Sequence, residues 1–246
     1  MVDDRNRNLT IMGESSTAGG KFDKMRVMGE CQVNGDLEVR SCKVMGNCTV
    51  NGGMTCGYFR NMGEVTVHGE LNADEMRLIG QTSVKEQCSV RKAGIYGELN
   101  CEKTLSGEEM LVRGMLHSRG NVSLEKLDMK GGIFVDGLLN CGTIEIVLKF
   151  DADNYVREIG TGSISVKKKR SIFNHAPVVN FQADLIEGDD IDLEYTTARV
   201  VRGARVAIGT GCKIDRIEYT ETYTSERHTE VGEAVKILEE KKETEK

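Results

Sequence analysis

Two residue types in this chain carry side chains that ordinarily do chemistry: eight cysteines, and four histidines at His68, His117, His175 and His228. Thiolate metal sites use closely spaced pairs such as C-x-x-C, and no two cysteines stand that way. The histidines lack the H-x-x-x-H spacing that sets two imidazoles on one helix face. His68 precedes Gly69 and reads as a turn residue, while His117 reads as an outward strand position. Seven cysteines (Cys31, Cys42, Cys48, Cys56, Cys88, Cys101 and Cys141) fall instead on inward apolar positions, where a thiol acts as a small hydrophobe. No catalytic set, metal or cofactor is expected from these residues, and the informative part of the sequence is the framework that holds them.

That framework is an internal repeat. Gly29, Gly46, Gly63, Gly80, Gly97, Gly114 and Gly131 each lie 17 residues apart. A second series follows six residues on, at Gly35, Gly52, Gly69, Gly120 and Gly137, with Glu86 and Lys103 as its interruptions. The column Met25, Cys42, Phe59, Met76, Ala93, Met110, Leu127 is apolar throughout. Two residues on runs Val27, Val44, Asn61, Leu78, Ile95, Val112, Met129. Four further columns, beginning at Cys31, Val33, Leu37 and Val39, repeat this character, with Thr82, Ser118 and Gly107 as exceptions. Between the last two runs a polar column, Glu38, Thr55, Asn72, Ser89, Ser106, Ser123, Asn140.

Alternation with period two marks strands with one buried face. Three short strands per 17 residues, in steps of 6, 6 and 5, make a triangular coil. The glycines are expected at the corners, supplying positive φ. Asn34-Gly35, Asn51-Gly52 and Asp136-Gly137 fit such turns. The fold expected is therefore all-β, a parallel β-solenoid whose seven regular coils stack to roughly 34 Å at ~4.8 Å per coil.

The chain divides on this reading into five stretches. Residues 1–24 are a tail with a partial strand at Leu9 and Ile11 and a weak cap over 14–24. Residues 25–160 form the regular solenoid, its eighth coil begun by Ile144, Ile146, Phe150, Ala152 and Val156. Residues 161–180 hold an edge strand, Ile164/Val166, then a loop with the basic run Lys167-Lys168-Lys169-Arg170 and the lone Pro177. Residues 181–220 form an irregular second solenoid segment. Residues 221–246 are a tail in which Val231, Ala234, Val235 and Leu238 follow the spacing of a short amphipathic helix.

Composition excludes several classes. With 33 Lys+Arg against 39 Asp+Glu, a net charge of −6, no Trp, six Tyr and six Phe, the chain lacks the basic, ring-rich surface of a single-strand nucleic-acid platform. No apolar run approaches the ~20 residues that span a bilayer. The start, MVDDRNRNLTIMG, is charged and has no signal-peptide core, so a cytoplasmic protein with reduced thiols is expected.

Surface columns suggest contacts. Arg26, Lys43, Arg60 and Arg77 stack into a basic stripe, with Glu30, Glu64 and Glu98 four residues along as candidates to relieve it. The stripe is a mixed-charge solvated face, or a contact for lipid headgroups or a protein. Met28, Met45, Met62, Ile79 and Tyr96 form an apolar column that either packs into the corner or makes an adaptable lateral contact. Open solenoid ends are templates for further chains. Leu9, Ile11, Met25 and Val27 at one end, and Ile208, Ile214, Ile217 and Tyr219 at the other, are the candidates for end-to-end stacking.

The phased columns across 25–143, and the later pairs up to Tyr219, resemble the bactofilins, bacterial polymer-forming cytoskeletal proteins. The whole chain, including Glu187-Gly188-Asp189-Asp190-Ile191-Asp192-Leu193-Glu194, looks most like the longer bactofilins of bacilli. The resemblance implies a right-handed triangular β-helix and nucleotide-independent end-to-end filaments, built from the chain alone or with a paralogous bactofilin. It implies a scaffold role in cell shape, placement of envelope enzymes, or motility and flagellar assembly. A position at the inner face of the membrane goes with this, although Met1–Gly13 is too charged to argue for an apolar anchor. Competing readings are a non-polymerising binding module and a hexapeptide-type acyltransferase, whose repeat Gly203–Ile214 resembles. That repeat uses 18-residue coils, and no His stands beside it to act as general base.

Overall fold

The computed structural model describes residues 7–148, 154–169, 180–227 and 229–238. Every regular element among them is a strand, and the strands are successive turns of a parallel β-solenoid, about 13 in number. At ~4.8 Å per turn the stack is roughly 60 Å long.

The first turns are β1 (Asn8–Thr17) and β2 (Gly20–Val33). The regular coils then alternate an eight-residue and a four-residue strand. These are β3 (Leu37–Val44) and β4 (Asn47–Val50), β5 (Met54–Asn61) and β6 (Glu64–Val67), β7 (Leu71–Leu78) and β8 (Gln81–Val84). After them come β9 (Cys88–Ile95) and β10 (Glu98–Cys101), then β11 (Leu105–Val112) and β12 (Met115–Ser118), then β13 (Val122–Met129). The later coils are longer continuous strands: β14 (Gly132–Leu148), β15 (Asn154–Lys168), β16 (Phe181–Leu193), β17 (Thr196–Ile208), β18 (Lys213–Ser225) and β19 (Glu230–Lys236).

Each eight-residue strand bends in its middle. In β3 the buried residues are Leu37 and Val39, then Cys42 and Val44, with Arg40 and Ser41 outside at the bend. β4 adds Cys48 and Val50. Three inward pairs per coil line a narrow triangular core that every column of the sequence feeds. The registers hold each column in line: Met25 beside Cys42, Cys42 beside Phe59, Phe59 beside Met76.

The corner glycines serve a different purpose from the one expected. Among the described residues positive φ occurs at Gly13, Gly19, Gly20, Gly211 and Tyr195, and none of the 29–131 series is there. A Cβ on Gly46 would sit on the carbonyl oxygen of Gly29, and one on Gly63 on that of Gly46, far inside van der Waals contact. The backbones of stacked coils approach each other at this corner too closely for any side chain. The periodicity of glycine therefore reports packing between coils.

Several expectations are corrected. Leu9 and Ile11 belong to a full strand, β1, paired with β2 over ten residues, and 14–24 is part of two coils, with no separate cap. Ile164/Val166 is not an edge: β15 is paired with β14 on one side and β16 on the other. The irregular spacing comes from unequal connections, with Ile144 beside Ile164, Ile164 beside Ile191 and Ile191 beside Val206. Val156 lies beside Val135, displaced from the 17-residue phase, while Phe150, Ala152, Arg170 and Pro177 lie outside the described residues.

Of the residues read as a helix, Val231, Ala234 and Val235 lie in the strand β19, which places Val231 beside Ile214 and Ala234 beside Ile217, and Leu238 lies just past its end. Two β-branched valines and Gly232 are poor helix formers, and β18 offers a row of backbone donors and acceptors.

Candidate assembly surfaces

The cysteines settle first. All eight are buried free thiols, including Cys212, which the repeat did not cover. Burial pushes the Cys56 thiol up to about 12, and those of Cys141 and Cys212 up to about 11. Cys31 and Cys48 are neighbours in the ladder, and the hydrogen bond between their thiols, then burial, raises Cys48. The same bond lowers Cys31, while the raised thiols stay neutral at ordinary pH; all pack as small apolar side chains. His68 is exposed at its corner. His117 stands outward and stacks on Phe134, centroids 6.1 Å apart, which in turn meets Tyr155 at 5.6 Å. His175 and His228 lie outside the described residues.

Charged side chains on the outer faces mostly pair from coil to coil. Arg40 holds Asp23 at 2.6 Å, Lys92 reaches Glu109 at 3.1 Å, and Arg202 reaches Glu218 at 2.7 Å. The basic run Lys167–Arg170 begins with Lys167 bound to Asp192 at 2.6 Å.

One corner departs from that habit. Arg26, Lys43, Arg60 and Arg77 lie side by side in consecutive coils, and none forms an ion pair among the described residues. The Arg60 Nε is buried without a hydrogen-bond partner, and Arg77 lies over the Tyr96 ring at 5.2 Å. Glu30, Glu64 and Glu98 do not relieve this row. They begin the next face, on the far side of the corner, and Glu98 accepts from Asn100 at 3.0 Å. Glu14 stands beside Glu30 in the first coil, and Glu14, Glu30 and Glu64 are exposed and unpaired among the described residues.

Between these rows runs the methionine column, and it points outward. Met45 is 53% exposed, Met62 45%, Ile79 41% and Tyr96 46%. Met28 is half-buried beside Met12, which sequence reading missed and which is 73% exposed. Met12 escaped notice because the first step is 16 residues, not 17. Six successive coils thus carry an apolar ridge of roughly 24 Å. The next residue in the column is Arg113, bound through both its terminal nitrogens to Asp128 at 3.0 Å, and the ridge ends there.

The ends of the stack differ from the residues first named for them. Met25 and Val27 are covered by β1, Ile208 lies beside Ser225 of β18, and Ile214 and Ile217 are covered by β19; all five are buried. Ile11 is also buried, at 4% exposure, whereas Leu9 and Tyr219 are partly exposed and pack on the core. The terminal strands themselves are the edges. Among the described residues β1 pairs only with β2, and β19 only with β18. Leu9 at one end, and Val231 and Tyr223 at the other, lie partly open against the core.

No helix of the described residues is long and apolar enough to cross a membrane. No three His, Cys, Asp or Glu among them stand together as metal ligands.

Comparison with known proteins finds similarity to two proteins of Bacillus subtilis (strain 168) described as uncharacterized. One, YhbF, is 43% identical over 101 residues, which is 41% of this chain and 42% of that protein. The other, YhbE, is 35% identical over 107 residues, 42% of this chain and 44% of that protein. The similarity thus spans less than half the length of either relative. No family model and no solved structure matches the chain.

Proposed function

We propose that this protein is a non-enzymatic scaffold that assembles end to end into nucleotide-independent polymers. The supporting observation is the pair of terminal strands, each paired on one side of its ladder only among the described residues. A strand edge with free N–H and C=O groups adds a further strand readily, and a solenoid propagates its coil geometry across such a junction. The partner in this reading is a second copy or a paralogous chain. The resemblance to bactofilins extends the reading to a platform for cell-envelope, shape or motility assemblies on the cytoplasmic side.

Negative-stain electron microscopy and sedimentation of the purified chain without nucleotide test this. Filaments or sheets are expected. Leu9→Glu places a charge on the outer coil at one end, and Val231→Glu does so at the other. If like ends join, each single variant stops at discrete dimers and the double variant is monomeric. If unlike ends join, either single variant is monomeric. Small particles of the unaltered chain at every concentration and salt level would refute end-to-end assembly.

A further inference from the structure

The corner that carries the methionine ridge has three parallel rows. Four unpaired cations lie on one side, six apolar residues on the crest, and the unpaired carboxylates Glu14, Glu30 and Glu64 on the other side. The cations sit ~4.8 Å apart, which is unfavourable without a nearby anion. In the acidic row Glu14 and Glu30 stand in adjacent coils, and Asn47 separates Glu30 from Glu64. An anionic lipid surface would meet the basic row favourably and the acidic row unfavourably. A second copy offers carboxylates to the basic row and cations to the acidic one.

We propose that two copies pair laterally along this ridge, side by side, with their stacks running in the same direction and their coils in register. The geometry follows from symmetry. A two-fold axis parallel to the stack turns one ridge to face the other and exchanges its two sides. The basic row of each copy then lies against the other's row of alternating acids and amides, with Arg26 opposite Glu30 of the second copy, Arg60 opposite Glu64, and Lys43 and Arg77 opposite the amides Asn47 and Gln81. A two-fold axis perpendicular to the stack, giving antiparallel rods, sets basic row against basic row and acidic row against acidic row. The charge pattern selects the parallel pair and rejects the antiparallel one. Methionines on the crest adapt to each other and fill an apolar seam. The ridge is small, on the order of 300 Å² per copy against the ~800 Å² of a standard interface, so one pair of rods associates weakly. Linked rods associate more strongly through repeated contacts. The pairing does not require end-to-end assembly.

The test uses the full chain, whose own eight thiols are buried, so that an added cysteine is the accessible one. Met28→Cys lies one coil inside β1 and Ile79→Cys four coils inside it, so contact between ends does not bring either against its own copy. Under mild oxidation at about 100 µM, each variant is expected to form a disulfide dimer with itself. A mixture of the two, distinguishable by mass, is expected to give no mixed dimer. Arg26→Glu alone and Glu30→Arg alone are each expected to weaken association about tenfold or more, and the double exchange to restore it. A mixed Met28/Ile79 dimer without self-dimers would mean antiparallel rods and overturn the proposal. So would stronger association of Arg26→Glu, or absence of any crosslink. Binding to phosphatidylglycerol vesicles that Met45→Glu abolishes, with no crosslink, would assign the ridge to a membrane instead.

Discussion

Asn61 and Thr82 sit one coil apart in the core, and the Asn61 amide donates to the Thr82 hydroxyl at 3.0 Å. They are two of the interruptions in otherwise apolar columns, and they answer each other. The same amide donates to the Gln81 carbonyl at 2.6 Å, while its oxygen accepts from the Gly63 N–H at 2.8 Å. Both residues are completely buried. A polar group in a core costs free energy unless it is bonded, and here the Asn61 amide nitrogen and oxygen and the Thr82 hydroxyl oxygen all have partners.

Removing one partner therefore leaves the rest unsatisfied. Asn61→Val is expected to destabilise by about 2–3 kcal/mol and Thr82→Val by about 1 kcal/mol, with a coupling of about 0.5 kcal/mol or more when combined. Denaturant unfolding of the four proteins measures the cycle. Strict additivity would mean that the contact contributes nothing.

The corner glycines should be intolerant of alanine although their φ values suit any residue. Gly63→Ala forces a methyl group against the Gly46 carbonyl. A loss of about 2 kcal/mol or more is expected, since the backbone of the coil below cannot yield without disturbing its own ladder. Gly94→Ala meets only the edge of the Tyr96 ring at 3.4 Å and is expected to cost much less. Thermal melting of the two variants distinguishes packing between coils from a general requirement for glycine.

The thiols should be silent in the folded state. At pH 8 the buried cysteines are expected to react with Ellman's reagent only on a timescale of unfolding, and all eight to react at once in denaturant. Rapid reaction of several thiols in native buffer would contradict their place in the core.

Acid should weaken the fold through its ion pairs. The Arg113 guanidinium holds the Asp128 carboxyl below its ordinary value of 3.8, and Arg40 and Arg205 do the same for Asp23 and Asp190. A carboxyl lowered by folding contributes stability that is present above its unfolded pKa and is lost as pH falls through its folded pKa. The melting temperature is therefore expected to decline below about pH 4. Asp128→Asn should melt lower at neutral pH and show a shallower decline in acid. An acid profile unchanged by that substitution would remove the pair from the account.

Much of this architecture is legible in the sequence because a stacked coil repeats one environment many times. Each column, such as Met25 through Leu127, sees the same core, and selection of apolar side chains at a fixed interval writes the period directly into the chain. The strand alternation, the inward cysteines and the basic and methionine columns all follow from that. Tertiary structure decided what a column cannot express. The glycine interval looks the same whether it supplies positive φ or close backbone approach, and only the contact between Gly29 and Gly46 tells which. Val231 to Leu238 fits a helical spacing, but the free edge of β18 and the local valines make Glu230–Lys236 a strand. Ile214 and Ile217 read as an end until β19 covers them. Whether Met45 and Met62 turn inward or outward depends on a full core already occupied by Val44 and Cys48. Side-chain period fixes which residues share a line; the volume enclosed by the coils decides which lines are left for another molecule.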